Sequence, residues 1–197
     1  KSPDRGVIAV RSPHAPPDYA ARTKHVEAKF GWKWSYVPIE LPLLPEAIEG
    51  QASDVSADGT TIVGSCVGAD GNYIPCKWIL DPATTTWAVS AIWGLPDVGT
   101  GEATAVSGDG GVIVGYTSTR IVLPNGDEEY PQQGWIVSPA MGPRRIVDAL
   151  TAEGLTGHQG WSLFQPQGIS SDGHFVCGFA RNPQGNEEGW VARLLNP

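Results

Sequence analysis

Two groups of acidic residues are the side chains best suited to chemistry in this sequence. Carboxylates that meet on one rim could bind a cation or a basic partner, and a pair that converges on a groove could serve a hydrolase or lyase acting on extracellular polysaccharide. The alternative is that they are hydrophilic loop tips that keep the surface soluble. The residues are Asp127, Glu128 and Glu129, followed later in the chain by Glu187 and Glu188.

No other side chains form a recognisable catalytic or ligand-binding motif. The sequence contains no G-x-S-x-G, no phosphate-binding glycine loop and no HExxH. The four histidines, at positions 14, 25, 158 and 174, stand in unrelated contexts, and no Cys/His cluster has metal-ligand spacing. We therefore expect no cofactor and no metal site, and we identify no catalytic residue.

The three cysteines leave two alternatives open. Cys66 and Cys76 lie symmetrically about Gly71, so a hairpin that turns at residues 70–72 would place them on opposite strands within possible bonding distance. A disulfide there would indicate an oxidising compartment, whereas the alternative is two reduced thiols that face each other. Cys177 occupies the position of a valine in the other copies of the pattern described next, so we expect it to be buried and unreactive.

A pattern of the form Val/Ile-Ser-x-Asp-Gly recurs three times and predicts a turn each time. An apolar run, a closing glycine and a strand that begins with tryptophan follow each copy. Glycine adopts left-handed backbone angles without a Cβ clash, and Ser and Asp side chains can bond the exposed amides of a turn. A catalytic or metal-ligand role is the alternative. The central pairs are Asp58-Gly59, Asp109-Gly110 and Asp172-Gly173.

The tryptophans recur with the turns, and a degraded fourth copy begins at Asp4. An indole covers a large apolar area, so these residues suit a role as wedges between sheets, and stacking on a ligand is the alternative. The wedge residues are Trp34, Trp78, Trp135 and Trp190.

The recurring unit predicts an all-β, propeller-like array. Strands at 52–55, 61–65, 75–80 and 87–92 would form the first four-stranded antiparallel sheet. Because the apolar runs do not alternate with polar residues, we expect both faces of each sheet to be covered by neighbours. One domain over residues 1–197 would hold a partial unit at 1–40 and full units at 41–92, 93–147 and 148–197. A β-sandwich, or an open array completed by another chain, is the alternative.

The whole string resembles the HAF family of probable extracellular repeats. The shared features are a Leu-Pro, a glycine-rich spacer, the string Ala-x-x-Val-Ser-x-Asp-Gly-x-x-Ile-Val-Gly and the tryptophan strand. The third unit departs from this string, with Pro166 in place of the alanine. The resemblance implies a propeller-like fold and a secreted or surface location, and it supplies no catalytic residue.

Charge narrows the class of partner. The net charge is −8, with +3 in residues 1–40 and −11 in the remainder, so duplex nucleic acid would be repelled. No apolar run is long enough to span a membrane. We expect a non-enzymatic extracellular or surface module that binds a protein or glycan or has a structural role, with a homo-oligomer possible. The alternatives are the polysaccharide hydrolase or lyase and a virion capsid or fibre component.

Overall fold

The computed structural model describes residues 39–95 and 99–196. The chain divides into two compact units, Lys1–Leu41 and Pro42–Pro197, and every described strand lies in the second. The fourth copy of the pattern, including Trp34, lies outside the described residues. The described part is all-β, with four antiparallel sheets and one short helix.

The first sheet contains four strands in chain order, which confirms the four-strand outline predicted for this unit. Each strand is antiparallel to the next, as short connections require. The strands are β1 (Ala47–Val55), β2 (Thr61–Gly68), β3 (Tyr73–Asp81) and β4 (Thr86–Ala91).

The second sheet has the same order but a much shorter fourth strand. A small hairpin of two further strands, β7 (Ile121–Val122) and β8 (Glu128–Glu129), forms a separate sheet in the connection between its second and third strands. The main strands are β5 (Thr100–Val106), β6 (Ile113–Ser118), β9 (Gln132–Val137) and β10 (Arg144–Arg145).

The third sheet has three strands, so the prediction of four strands for this unit is wrong. They are β11 (Ser162–Ile169), β12 (Phe175–Arg181) and β13 (Glu187–Arg193). A helix that the sequence analysis did not expect, α1 (Ile146–Ala152), precedes them and buries Ile146, Ala149 and Leu150. The spacing of these three residues places them on one helical face, which packs into the core.

The closing glycines occupy a position where a side chain has no room. In each sheet the first strand has a register shift near its end, and the glycine lies on the second strand opposite that bulge. A Cβ at this position would lie about 2 Å from a backbone carbonyl oxygen of the first strand, which is a severe overlap. The pairs are Gly64 with Gln51 (1.9 Å), Gly115 with Glu102 (2.1 Å) and Gly178 with Gln165 (2.1 Å).

The sheets pack against one another in chain order. Val63 of the first sheet and Ile113 of the second belong to one buried cluster, while Val114 of the second sheet and Val176 of the third belong to another. Because Ile113 and Val114 are consecutive in β6, they point to opposite faces of the second sheet. This sheet is therefore covered on both faces, as the sequence predicts.

Candidate binding surface

The three Ser-x-Asp-Gly segments form the same turn between the first and second strands of each sheet. Ser56 Oγ donates to Asp58 Oδ1 at 2.5 Å and accepts the N–H of Thr61 at 2.9 Å, while Gly59 has a φ of 72°. The hydroxyl lowers the pKa of the Asp58 carboxyl, because it donates to the ionised form. The other turns repeat these bonds with Ser107, Asp109, Gly110 and Val112, and with Ser170, Asp172, Gly173 and Phe175.

Backbone hydrogen bonds join the three turns into a row that we call the turn ladder. The N–H of Ala57 donates to the carbonyl of Gly108 at 2.9 Å, and the N–H of Gly108 donates to the carbonyl of Ser171 at 2.8 Å. All three residues occupy the same place in the motif. A Cβ on Gly108 would lie 2.1 Å from Ser171 Oγ, which can rotate away, and 2.9 Å from the Ser171 carbonyl oxygen, so the close approach of the two backbones favours glycine in the central turn. The recurring motif thus aligns neighbouring sheets as well as connecting strands.

The tryptophans are equivalent in two of the three described repeats. Trp135 lies opposite Gly115 and Trp190 lies opposite Gly178, so both face a closing glycine. Trp78 lies two residues further along its strand than the position opposite the first closing glycine. The expectation of one equivalent position for all of them is wrong for Trp78, because its strand is shifted in register along the sheet.

Burial places these indoles in or beside the core. Trp78 and Trp135 are completely buried and Trp190 is half-buried. The indole N–H of Trp78 donates to the Pro42 carbonyl at 2.7 Å and that of Trp190 to the Phe179 carbonyl at 3.0 Å. The nitrogen of Trp135 has no hydrogen-bond partner among the described residues. Of the three described wedge residues, only Trp190 retains exposed surface on which a ligand could stack.

Cys66 and Cys76 are buried free thiols whose sulfur atoms lie 3.5 Å apart. Their hairpin is centred on Asp70 and not on Gly71, because Val67 pairs with Tyr73. The two cysteines are consequently diagonal neighbours instead of direct partners across the strands. The hydrogen bond donated by the Cys76 thiol lowers the pKa of Cys66, since it favours the thiolate.

The first acidic group lies on the hairpin formed by β7 and β8. Glu128 forms an ion pair with Arg120 and accepts a hydrogen bond from the Tyr130 hydroxyl at 2.6 Å. These contacts, led by the Arg120 hydrogen bond, lower the pKa of Glu128 to about 2. Asp127 and Glu129 are exposed on the same hairpin. The Glu128 carboxylate is thus already bonded to Arg120 and Tyr130 of its own hairpin.

The second acidic group begins β13. Arg181 donates to Glu187 at 3.0 Å, and the Asn182 amide donates to Glu188 at 2.6 Å. Glu128, Glu187 and Glu188 thus bond to side chains of their own hairpins. Within residues 39–95 and 99–196, no three His, Cys, Asp or Glu side chains are grouped so that they could hold a metal ion.

The third sheet exposes an apolar surface that we call the outer face, formed by Phe175, Cys177, Phe179 and Val191. Phe175 is 46% exposed, Phe179 50% and Val191 71%. The expectation that Cys177 is buried is therefore wrong: its side chain is exposed, because none of the described sheets packs on this face. The β12 positions correspond to Thr61, Val63 and Ser65 in the first sheet and to Val112, Val114 and Tyr116 in the second, all buried except half-buried Tyr116.

Two arginines frame the outer face. The Arg181 guanidinium lies 6.0 Å from the ring centre of Phe164, and that of Arg193 lies 5.8 Å from the ring of Phe175. Cations at this distance are attracted to the ring face. An apolar centre with a charged rim is typical of a surface that binds protein.

A groove of about 440 Å³ lies between β13 and the segment that joins α1 to β11. His158 of that segment lies on the groove wall, with its Nε2 3.0 Å from Thr151 Oγ1 of α1. The side chains that give it an apolar floor and walls are Leu150, Leu155, Trp161, Leu163 and Trp190.

Sequence reasoning missed both the outer face and the groove. The residues of β12 follow the same pattern as buried residues in the other repeats, so nothing in their type shows that they are exposed. A signal for the groove does exist: the stretch from Leu150 to Phe164 departs from the repeat, and it contains part of α1 and the groove wall.

Comparison of the chain with protein-family models, with curated proteins and with solved structures gives no match in any of the three. The resemblance to the HAF family stays a prediction. No helix among the described residues is long and apolar enough to cross a membrane.

Proposed function

We propose that this chain is a non-enzymatic binding or structural module of an extracellular surface, and that it associates with a partner protein through the outer face of the third sheet. The observation that carries the proposal is the exposure of Phe175 and Phe179 at positions that are buried or half-buried in the two preceding sheets. A contiguous exposed apolar patch rimmed by charge marks an interaction site.

The physical argument is the cost of leaving this face in water. Burying apolar surface contributes roughly 25 cal/mol per Å², so a partner that covers two phenylalanines and a valine gains several kcal/mol before the costs of association. The arginines at the rim, Arg181 and Arg193, keep water and charge at the border while the centre is desolvated. This arrangement favours a protein partner over a glycan.

We also propose that the sheets follow the radial stacking of a propeller and that the protein works outside the cytoplasm. Support for the stacking comes from the chain-order packing of the sheets and from the turn ladder, which repeats one contact between neighbours. Support for the location comes from the 3.5 Å separation of Cys66 and Cys76, which oxidation could close, together with the HAF resemblance.

The hydrolase or lyase alternative lacks a supporting observation. Glu128 and Glu187 are each paired with an arginine of their own hairpin. A glycosidase needs two carboxyl groups across one groove, with the acid kept protonated by a raised pKa. The pKa of Glu128 is shifted in the opposite direction.

The test is affinity capture of surface and secreted proteins from the source cells, with the wild-type chain and Phe179→Glu as bait. A charge at the centre of the outer face should abolish retention of the partner. Ile79→Glu is the matched control, since Ile79 is a similarly exposed apolar residue on the first sheet. Equal retention by wild type and Phe179→Glu, or turnover of a polysaccharide that Glu128→Gln abolishes, would overturn the proposal. A defined oligomer of the purified chain that Phe179→Glu disperses would favour the capsid or fibre alternative.

A further inference from the structure

The outer edge of β13 presents unpaired backbone groups. The N–H of Leu194, just after β13, donates to the His174 carbonyl at 2.7 Å. This hydrogen bond shows which alternate residues of β13 turn their backbone groups toward β12. Because bonding alternates along an antiparallel pair, the N–H and C=O groups of Gly189, Val191 and Arg193 point away from β12. No strand of the described chain pairs with this edge.

The corresponding edge is occupied in both other repeats. In the first sheet β4 pairs with β3 over six residues, and in the second sheet β10 pairs with β9 over two. After β13 the chain instead turns toward the helix, where the N–H groups of Leu195 and Asn196 donate to the Glu153 carboxylate at 2.7 and 3.1 Å. Among the described residues, no strand fills the fourth-strand position of the third sheet.

The middle of this edge has few of the devices that normally protect an exposed strand, because the charged residues of β13, Glu187, Glu188 and Arg193, lie at its two ends. β13 contains neither proline nor lysine, and its pairing with β12 runs through seven residues without a bulge. Gly189 has no side chain that would obstruct an approaching strand, and the space where its Cβ would lie is open, with nothing within 4 Å. Exposed edges of this kind readily accept another strand.

The groove gives an added strand somewhere to place its side chains. It runs beside residues 189–193 and is lined on its far side by Leu155 and Trp161. Successive side chains of a strand point to opposite faces, so every second residue of an added strand would face the apolar side of the groove.

We propose that the third sheet is completed by strand addition: an extended segment of the partner protein binds antiparallel along β13 as its fourth strand. The inference rests on the proposed function and names the chemistry of the partner segment. The strand β4 shows what a fourth strand looks like in this fold: Trp87, Val89 and Ala91 are half-buried or buried and alternate with exposed residues. The partner segment thus has bulky apolar residues at alternate positions, and backbone hydrogen bonds hold it to the edge.

The experiment is titration of the chain with a peptide of residues 84–92, which carries the β4 pattern, followed by calorimetry and by amide exchange. Saturable binding should slow exchange of the N–H groups of Gly189, Val191 and Arg193. Gly189→Pro removes one edge donor without changing a residue of the outer face and should weaken binding at least about tenfold. The fold should tolerate this proline because the N–H of Gly189 faces away from β12. Gly189→Ala keeps the donor and is the matched control, with binding within about twofold of wild type, since its Cβ would meet nothing within 4 Å.

The inference is overturned by absence of saturable binding, by equal binding of a scrambled peptide of the same composition, or by equal binding of the peptide to Gly189→Pro with its fold intact by circular dichroism. Self-association of the wild-type chain that Gly189→Pro disperses would assign the edge to a second copy and also overturn it. If Phe179→Glu loses the captured partner but Gly189→Pro does not, only this inference fails. If neither variant changes capture, the proposed function fails as well.

Discussion

Three positions of this chain, Gly64, Gly115 and Gly178, have no room for a Cβ atom. The closing glycines lie where the carbonyl of a bulged strand points at the neighbouring backbone, and in the second repeat the Trp135 ring packs over the same space. Only hydrogen fits there. The sequence shows that these glycines recur regularly. The reason for them is a close contact between two strands, which the local sequence of a turn does not reveal.

Gly115→Ala should destabilise the fold by about 3 kcal/mol or more, because the added Cβ would lie 2.1 Å from the Glu102 carbonyl and 2.3 Å from the Trp135 ring. Urea unfolding followed by tryptophan fluorescence measures the change. Gly189→Ala is the control: its Cβ meets nothing within 4 Å, and its free energy of unfolding should stay within about 0.5 kcal/mol of wild type. Similar losses in both variants would contradict the argument.

At the scale of the element, the turn is the unit that repeats most faithfully. Its serine bonds both the aspartate and an amide five residues along, so one side chain closes the loop and fixes the start of the next strand. The aspartate is held as a carboxylate, since the hydroxyl and an amide both donate to it. Stability should accordingly depend on the ionisation of the turns.

The pKa of the turn aspartates lies below the ordinary value of 3.8, so the folded state favours the carboxylate. Their contribution to stability is present above that value and is lost as the pH falls through the lower pKa of the folded protein. Asp109→Asn should cost about 1 kcal/mol at neutral pH, a figure reduced for solvent screening, and the difference from wild type should shrink below about pH 4.

Chemical denaturation at a series of pH values measures this difference. Ser107→Ala should converge with wild type only in part, since it removes both the donor that stabilises the carboxylate and the acceptor of the Val112 N–H, and the second loss does not depend on pH. A difference that stays constant from neutral pH into acid would show that the Asp109 charge does not contribute to stability.

Sequence reasoning predicts what is local and misses what depends on neighbours. The turn at Asp58-Gly59 and the strands of the first sheet follow from residue type and spacing. The register of Trp78, the helix at Ile146–Ala152 and the exposure of Cys177 do not, because each depends on which surface lies opposite. The acidic groups show the same limit: their spacing indicates a site, but partners such as Arg120 become visible only in the hairpin.

For the whole molecule, the decisive fact is that the sheets are not covered equally. The second sheet has a neighbour on each side, whereas the third has one face in the core and one in solvent. Residues of similar type therefore have opposite roles: Val114 is fully buried between sheets, and Val191 is mostly exposed. Stability should depend on the first and association on the second.

Val114→Ala should lower the free energy of unfolding by about 2–3 kcal/mol, from lost burial and the cavity left behind. Val191→Ala should change it by less than about 0.5 kcal/mol, because a side chain 71% exposed gives up little on truncation. Denaturant unfolding of both variants and of wild type at low protein concentration measures these two changes in the free energy of unfolding. A large loss for Val191→Ala would mean that the outer face is covered in the isolated chain.

The turn ladder gives the stack of sheets a direction. Ala57 and Gly108 each donate an N–H to the next repeat, so the first turn offers a carbonyl acceptor, while the Ser171 N–H at the other end has no partner in the described chain. The two ends of the turn ladder are complementary, like the two ends of a polar filament. An N–H donor of one turn meets a carbonyl acceptor of the next only when the repeats continue head to tail. A two-fold pairing through the Ser171 turn would bring donor against donor. Any further repeat that extends this ladder therefore adds in the same sense as the three already present.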